Sequence, residues 1–407
     1  MTNIRVVDQP GFARFWAADT VSLVGTYVTT LALQVLAVVH LKASATELGV
    51  LGAARWVPYL LFGLVAGVLV DRRRRRPLLV GTDLARAVVL GLIPLLSWVG
   101  LLDMPTLVAL VTVFGALSLV YDAAHQSFLP QLVPTALLTT ANARMEQTRA
   151  VAQTVGPMIA GWLVKVVSAP VAIVVDAVSY LVSGLVLATV RTRERLEPVE
   201  SRNLRRELWE GVSWVYRHPT LSPLTVTSHV WFVCTGMVGT VSTFFVLGEL
   251  GFDAAALGVT YAVGGVGGVL GASLSDRAGR WLGVAPVLVI GRWLTPVAYA
   301  LIPLATNGTT GLLLLCAAQF LFGFSLGLDG PVEMGYRQTV IPDRLLGRAN
   351  ATMRSLNRGM IVIGAPLGGV LADSLGNRAA LWIAVVGLVG QAAAFSRTVN
   401  RPQWKYD

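Results

Sequence analysis

Twelve apolar segments fill most of the sequence, and each is long enough to cross a lipid bilayer as one helix. A helix needs roughly 20 apolar residues to cover the hydrocarbon core of a bilayer. The segments run over residues 15–39, 48–70, 77–102, 106–124, 145–167, 170–190, 219–247, 255–274, 284–305, 311–328, 351–372 and 379–396. They predict an all-α membrane protein with twelve transmembrane helices.

The composition agrees with this class. Only 13% of the 407 residues are charged and 55% are hydrophobic, whereas soluble domains carry about 25% charged residues. In a soluble protein the net charge of +10 would suggest a nucleic-acid partner. Here the basic residues lie between apolar segments, as the positive-inside rule requires. We therefore expect no nucleic acid to bind.

The distribution of lysine and arginine predicts the orientation in the membrane. Nearly all 32 basic residues lie at the termini or in the connections after the second, fourth, sixth, eighth and tenth segments. Only Lys42, Arg55, Lys165 and Arg378 are assigned to the other side. Because basic connections stay in the cytoplasm, we expect a multi-pass protein of the bacterial inner (plasma) membrane with both termini cytoplasmic.

The two halves of the chain are related to one another. Eight residues recur exactly 208 positions later: Pro134, Ala141, Asn142, Ala143, Met145, Gly156, Gly161 and Leu163 return as Pro342, Ala349, Asn350, Ala351, Met353, Gly364, Gly369 and Leu371. Since six segments separate the copies, both run in the same direction through the membrane. We expect two parallel six-helix bundles, residues 1–190 and 219–407, with a substrate path between them.

The connection at 191–218 is the predicted cytoplasmic linker between these bundles. Its second part, residues 204–216, has apolar and aromatic residues at helical spacing. That pattern fits a helix lying on the membrane surface, and it fits a solvated linker helix equally well.

A short charged motif ends the second segment and returns at the end of the eighth. The first copy starts at Gly67, reaches Asp71 and continues with five arginines, 72–76. The second copy runs from Gly271 through Asp276 to Arg280. Arginines at such a position are explained by topology alone, so the pattern by itself leaves open whether the motif also has a conformational role.

With these features the chain resembles the major facilitator superfamily, and within it the bacterial branch of drug and siderophore exporters that includes enterobactin-exporter-like and macrolide-efflux-like proteins. The family's loop motif maps onto Gly67, Leu69, Asp71, Arg72 and Arg75, with Arg74 where glycine is usual, and onto Gly271, Leu274, Asp276, Arg277, Gly279 and Arg280. Gly156, Pro157 and Gly161 are similar to a helix-packing motif of exporters in this family.

The resemblance implies a proton-coupled secondary active exporter of a small hydrophobic or amphipathic compound, such as a drug or a siderophore, working by rocker-switch alternating access. It also implies that Asp71 holds the inner ends of the halves together, through the positive end of helix eleven and arginines such as Arg354 or Arg358. An importer, a lipid-flipping transporter and a membrane sensor that transports nothing remain as alternative interpretations.

Polar residues follow one face of the first segment and of its repeat partner, the seventh. Such a face is costly against lipid, so we predict that it lines the central cavity. Asp19 is the candidate proton-coupling carboxylate, or else a member of a structural ion pair. His229 is the second titratable candidate, or else a hydrogen-bonded structural group. The cavity candidates are Ser22, Thr26, Tyr27, Thr30, Gln34, Ser228, Phe232 and Thr235.

Charged residues near the inner mouth form two groups on opposite halves. They either pair across the halves as an inner gate, which we favour, or the acidic ones attract a cationic substrate. The residues are Asp122, Arg144, Arg149, Asp329, Glu333, Arg354 and Arg358.

The sequence offers no enzyme site. It has no phosphate-binding loop, no H-E-x-x-H motif and no G-x-S-x-G motif, and Cys234 and Cys316 have no metal-ligand spacing around them. We expect a transporter without a metal or cofactor, working as a monomer. Its partners are then a small-molecule substrate, protons and the surrounding lipid, with uphill transport driven by an ion gradient.

Overall fold

The computed structural model describes residues 6, 9–71, 73–192, 194 and 204–399. Over these residues the chain forms α-helices and no strand. The helices are α1 (Pro10–Val35), α2 (Ala45–Ala54), α3 (Val57–Asp71), α4 (Arg75–Trp98), α5 (Met104–Phe128), α6 (Leu138–Val167), α7 (Ala169–Ala188), α8 (Leu204–Arg217), α9 (Leu221–Phe244), α10 (Ala254–Leu282), α11 (Val284–Ala300), α12 (Thr309–Val340), α13 (Asp343–Leu375) and α14 (Asn377–Val399). The predicted all-α fold is confirmed.

Ten helical stretches in the described ranges are long and apolar enough to cross a membrane. The other two predicted spans differ from a simple long helix. α11 is apolar but only 17 residues long. The span predicted at 48–70 is divided into α2 and α3 at Arg55 and Trp56. Pro58 explains the division, because proline has no N–H for the carbonyl of Ala54 and its ring crowds that carbonyl.

The helices pack as two halves that repeat the same local structure. α1 packs on α6 and α7 in the first half, and α9 packs on α13 and α14 in the second. A π-helical turn follows α1 at Leu36–His40 and α9 at Phe245–Glu249. The next helix in each half then starts at an N-cap whose side chain accepts a backbone hydrogen bond, Ser44 before α2 and Asp253 before α10.

Two long contacts join the halves, and they define the ends of the molecule. α6 packs against α10, and α2 and α3 pack against α13; we call these the α6–α10 seam and the α2–α13 seam. The first residues of α10 lie in the α6–α10 seam, and the first residues of α2 lie in the α2–α13 seam. We call the end of the molecule that contains these two helix starts the closed end. α8 lies at the opposite end against α9 and α13, with Val215 fully buried and Trp209 68% exposed.

Candidate functional site

In the α6–α10 seam the two helices touch backbone to backbone. A Cβ built on Gly161 would lie 2.5 Å from the carbonyl oxygen of Ala254, and one built on Gly258 would lie 2.6 Å from that of Pro157. Only glycine allows so close an approach. The structure thus places two members of the packing motif, Pro157 and Gly161, at the contact between the halves. The third, Gly156, faces Tyr27 of α1 instead.

The α2–α13 seam repeats this geometry. A Cβ on Gly369 would overlap the carbonyl oxygen of Ala45, and a Cβ on Gly49 would overlap that of Ala365. Gly369 and Gly161 are 208 positions apart, and Gly258 and Gly49 are 209 apart. The two halves therefore meet at the closed end through two copies of one contact.

In each seam a charged side chain of one helix binds at the start of the other helix. Lys165 Nζ lies 2.8 Å from Asp253 Oδ2, while Asp253 also accepts the N–H of Ala256 at 2.8 Å. The hydrogen bond from Lys165, joined by the one from Ala256, holds the pKa of Asp253 below its ordinary value. In the other seam Asp373 accepts the backbone N–H groups of Ala45, at 3.1 Å, and Thr46, at 2.9 Å.

Further along α3 and α13 from the closed end, residues of both halves form one polar and aromatic cluster, which we call the central site. Asp122 of α5 accepts a hydrogen bond from the Tyr59 hydroxyl at 2.8 Å, and its Oδ2 lies 3.8 Å from Nη1 of Arg358 on α13. The Asp122 side chain is 44% exposed and that of Arg358 is 30% exposed. The structure therefore brings together Asp122 and Arg358, two of the predicted inner-gate residues, and keeps both accessible.

Arg55 belongs to the same site, although the sequence assigned it to the outer side. Its guanidinium carbon lies 5.5 Å from the Trp56 ring and 5.6 Å from the Phe114 ring. Its Nη1 donates to Thr30 Oγ1 at 3.1 Å, which places Thr30, a predicted cavity residue, at the central site. Arg55 lies here because it ends α2, at the break before α3.

Asp19 pairs with a residue that the sequence analysis missed. His125 Nε2 lies 2.9 Å from Asp19 Oδ1, and the two side chains are 14% and 13% exposed. The rings of Phe15 and Tyr121 lie 4.7 Å and 5.7 Å from the imidazole, centroid to centroid. Asp19 therefore faces α5 rather than lipid. The four-residue spacing of Tyr121 and His125 on α5 is the signal that could have suggested this face.

Two of the predicted cavity positions on α1 need correction. Ser22 is buried, and Thr26 bonds to the hydroxyl of Tyr180 on α7 at 2.7 Å. This face of α1 packs within the first half and does not line a cavity between the halves. Helical spacing could not reveal this, because the polar partner lies on a helix about 150 residues later in the chain.

A buried ion pair explains why the first half has a polar interior. Arg86 donates to Asp83, and the Ser183 hydroxyl donates to the same carboxylate at 2.6 Å. The guanidinium carbon of Arg86 lies 4.0 Å from the centroid of the Tyr121 ring and 4.3 Å from that of Tyr180. A buried charge needs such partners.

The second half has its own buried pair, and three further predictions need correction there. Arg292 donates to Ser228 at 2.9 Å and to Glu333 at 3.1 Å, and Arg337 donates to Glu333 as well. Asp329 packs against Gly291 of α11. Ser228, Glu333 and Asp329 therefore pack within the second half. Arg292 binds Ser228 and Glu333, and Asp329 contacts α11. These three side chains therefore neither line the cavity nor pair across the halves.

His229 joins three helices. Its Nδ1 lies 2.8 Å from Asn357 Oδ1 on α13, and its Nε2 lies 2.5 Å from the hydroxyl of Tyr216 on α8. Because an amide oxygen only accepts, Nδ1 carries a proton and a neutral ring takes its other bond from Tyr216. This geometry fits the structural alternative for His229. The linker helix α8 thus contacts the second half through this histidine.

The remaining cavity candidates lie on α1 and α9. Tyr27 packs against Gly156, and Gln34 accepts a hydrogen bond from Thr243 of the other half at 3.4 Å. Phe232 lies beside Trp231, and Thr235 bonds to the carbonyl of Phe232 at 3.3 Å. Gln34 is therefore the one of these four with a contact across the halves in the described chain.

The first copy of the charged motif lies partly outside the described residues. This holds for Arg72 and for the side chains of Gly67 and Asp71, so their predicted role in gating stays a prediction. The backbone N–H groups of Arg75 and Arg76 donate to Glu194 at 2.5 Å and 2.8 Å. The N-terminus of α4 thus holds a carboxylate from the linker, as helix N-termini favour.

The second copy of the motif pairs within α10. Asp276 Oδ2 lies 2.6 Å from Nη1 of Arg280, and both side chains are mostly exposed. Arg277 lies over the ring of Trp281, and Gly271 packs on the backbone of α12. Within the described chain, none of these four residues contacts the first half.

The arginines predicted near the inner mouth divide into two groups. Arg144 and Arg149 are exposed on α6 and bond to neighbours on the same helix: Arg144 donates to Gln147 at 3.4 Å, and Arg149 lies 3.8 Å from Glu146. Arg354 lies one turn from Arg358 on α13, within electrostatic range of Asp122 on α5 and also of Arg149 on α6. Arg354 therefore belongs with the central site.

Comparison with known proteins gives this geometry a context. Residues 3–407 match the family described as transmembrane secretion effectors. The multidrug efflux pump Tap of Mycolicibacterium fortuitum is 27% identical over 87% of each chain, and macrolide efflux protein A of Streptococcus pyogenes is 21% identical over 90% of each chain. The crystal structure of the nucleoside transporter NupG superposes with a TM-score of 0.75, at 11% identity, over 98% of this chain and all of the other.

These relatives are transporters and not enzymes, as the sequence predicted. The resemblance to the major facilitator superfamily is confirmed over nearly the whole chain. The protein belongs to the transmembrane secretion effector family of major facilitator transporters.

Proposed function

We propose that this transporter is a proton-coupled exporter of a small amphipathic compound. The observation that carries the proposal is the central site, which both halves build and which lies away from the tight glycine contacts of the closed end. Relatives named as a multidrug pump and a macrolide efflux protein support the direction of transport. The protein works as a monomer in the bacterial inner membrane, with both termini in the cytoplasm.

Transport follows from the way the halves meet. Residues 1–190 and 219–407 rock as units, so that the closed end separates while the opposite end closes. Separation parts the glycine contacts of both seams and the two charged contacts at the first turns of α10 and α2. Substrate bound at the central site then leaves on the outer side.

Proton coupling is assigned to the pair formed by Asp19 and His125. His125 Nε2 and Asp19 Oδ1 lie 2.9 Å apart, so a proton can pass between the imidazole and the carboxylate. The pair lies on α1 and α5, the helices that also carry Thr30 and Asp122 of the central site. A change of charge on the pair therefore reaches the substrate through these two helices.

Proton movement in vesicles tests this assignment. The full chain is reconstituted with a pH-sensitive dye inside, and substrate-dependent proton flux is compared for wild type and Asp19→Asn. We expect at least a tenfold loss in the variant and a similar loss in His125→Gln. Asp103→Asn is the control, since Asp103 is a loop carboxylate that caps α5.

Three results would contradict the proposal. Unchanged proton flux in Asp19→Asn would remove the pair from the mechanism. Uptake of the substrate into cells that carry the protein would favour an importer. Movement of a fluorescent phospholipid between leaflets, with no flux of soluble compounds, would favour a lipid-flipping transporter.

A further inference from the structure

The described part of the central site has more positive than negative charge. Arg55, Arg354 and Arg358 lie around the carboxylate of Asp122, and Arg55 is also in electrostatic range of the buried carboxylate of Asp176 on α7. Asp122 lies 3.8 Å from Arg358 and is shared with the Tyr59 hydroxyl. In the described part of the chain, no carboxylate oxygen lies within 4.0 Å of Arg55 or Arg354. Among the described side chains, which do not include that of Asp71, three guanidinium groups thus meet two carboxylates.

This shortage matters because the cluster lies at membrane depth. A charge placed there costs several kcal/mol unless it is paired or reaches water. Elsewhere at this depth the protein pairs its arginines: Arg86 has Asp83, and Arg292 and Arg337 share Glu333. Arg55 and Arg354 differ from these arginines, because among the described residues neither has a carboxylate oxygen within 4.0 Å.

Aromatic rings surround the same arginines. The guanidinium carbon of Arg358 lies 5.1 Å from the Trp56 ring and 4.8 Å from the Tyr59 ring, and Arg55 lies over Trp56 and Phe114. Stacking of this kind holds the guanidinium plane in place and leaves its N–H groups directed outward. Such groups bind carboxylates and similar oxyanions in bidentate fashion.

We infer that the transported compound is an organic anion with a flat or apolar body, bound by Arg55 and Arg354 through its oxyanion and by the Trp56 and Tyr59 rings through its body. This rests on the proposed function and specifies its substrate class. It also reverses the alternative in which acidic residues attract a cation, because Asp122 is already engaged by Tyr59 and Arg358.

Two dyes of similar shape and opposite charge separate these outcomes. Fluorescein is an anion and rhodamine 6G a cation, and both have a flat xanthene body. Their binding to the purified full chain in nanodiscs is followed by fluorescence anisotropy, without any ion gradient. We expect saturable binding of fluorescein that weakens with added salt, and no saturable binding of rhodamine 6G at the same concentrations.

Substitutions locate the binding. Arg55→Gln and Arg354→Gln should each weaken fluorescein binding about tenfold, the order expected for one charged hydrogen bond. Arg55→Lys keeps the charge and should recover part of the affinity, which a loss of folding could not explain. Arg280→Gln is the matched control, since Arg280 is exposed on α10 and pairs with Asp276.

Each contrary result has a definite meaning. The inference fails if fluorescein does not bind saturably, or if both glutamine variants bind it as wild type does. It also fails if rhodamine 6G binds and Asp122→Asn abolishes that binding. Because binding is read without flux, these failures are distinct from a failure of the export proposal, which appears only in the vesicle assay.

Discussion

The two seams have the same backbone geometry and opposite charges. In both, a glycine of one helix meets the carbonyl of the first residue of the other, Gly161 on Ala254 and Gly369 on Ala45. Four residues beyond each glycine stands a charged residue, Lys165 in one seam and Asp373 in the other. The repeat has therefore kept the approach distance of the helices while the charges beside it have diverged.

In both seams the backbone N–H groups at the start of a helix need hydrogen-bond acceptors. The first N–H groups of a helix have no partner within the helix, and they favour negative charge. α10 has Asp253 as its own N-cap, so the neighbouring helix supplies the cation Lys165. α2 has the neutral Ser44 there, so the neighbouring helix supplies the anion Asp373. The charge on each neighbour follows from the N-cap that it faces.

The largest effect is expected where the seams are alike. Gly161→Ala and Gly369→Ala each place a Cβ against a backbone carbonyl, which cannot move aside as a side chain would. Overpacking of this kind raises the free energy of the conformation with a closed end by roughly 1–3 kcal/mol. The conformation in which the seams are apart does not bear this cost. We expect export to fall about fivefold or more in both variants, measured as substrate flux from loaded vesicles.

Glycines outside the seams supply the control. A Cβ on Gly91 or Gly390 meets nothing within 4 Å, and alanine favours a helix over glycine by roughly 0.5–1 kcal/mol. Gly91→Ala and Gly390→Ala should therefore transport as wild type does. If Gly161→Ala proved as harmless as Gly91→Ala, the backbone contact would not limit closure.

The fold and the seams could be read largely from the sequence. Twelve apolar segments predicted the helices, and the 208-residue repeat marked Gly161 and Gly369, which lie at the seams. The break between α2 and α3 was not predicted, because the sequence analysis treated residues 48–70 as one span although Pro58 was the local signal for it. Local rules sufficed here because backbone geometry is set by nearby residues.

The central site could not be read in the same way. Ser22, Thr26 and Ser228 follow a polar face, but such a face points equally well to a cavity or to a buried pair within one half. The choice depends on Arg86 and Arg292, which lie on other helices. Pairings between distant segments leave no periodic signal, so His125 and the position of Arg55 at the central site were missed.

A smaller effect is expected from the charge of the α6–α10 seam. Lys165→Glu replaces attraction to Asp253 with repulsion across a contact whose side chains are 59% and 49% exposed. An exposed pair is worth about 0.2–1 kcal/mol, so the closed-end population should fall roughly two- to fivefold. Spin labels at Val166 and Val259, read as a distance distribution, measure that population, and added salt should reduce the difference from wild type.

The pH dependence of the same contact has a definite sign. Lys165 and Ala256 lower the pKa of Asp253 below its ordinary value. Because its pKa is lowered, the ionised Asp253 carboxylate stabilises the contact at pH values above about 3.9, the ordinary pKa of aspartate. This stabilisation is lost as the pH falls through the lowered pKa of Asp253. The spin-label distances should therefore stay constant from about pH 5 to 8 and change only below about pH 4. A transition between pH 5 and 7 would show that another group controls this end.

The smallest effect is expected from Asp373→Asn in the α2–α13 seam. Asparagine keeps one oxygen to accept from Ala45 or Thr46 and loses only the attraction of the charge to the helix start, about 0.3–1 kcal/mol. Asp373→Ala loses both acceptors and should cost more, about 1 kcal/mol. The same spin-label measurement, with one label on α2 and one on α13, ranks the two variants. If Asp373→Asn separated the seam as widely as Asp373→Ala, charge alone would hold it. The two seams would then differ only in the sign of the charge on the neighbouring helix.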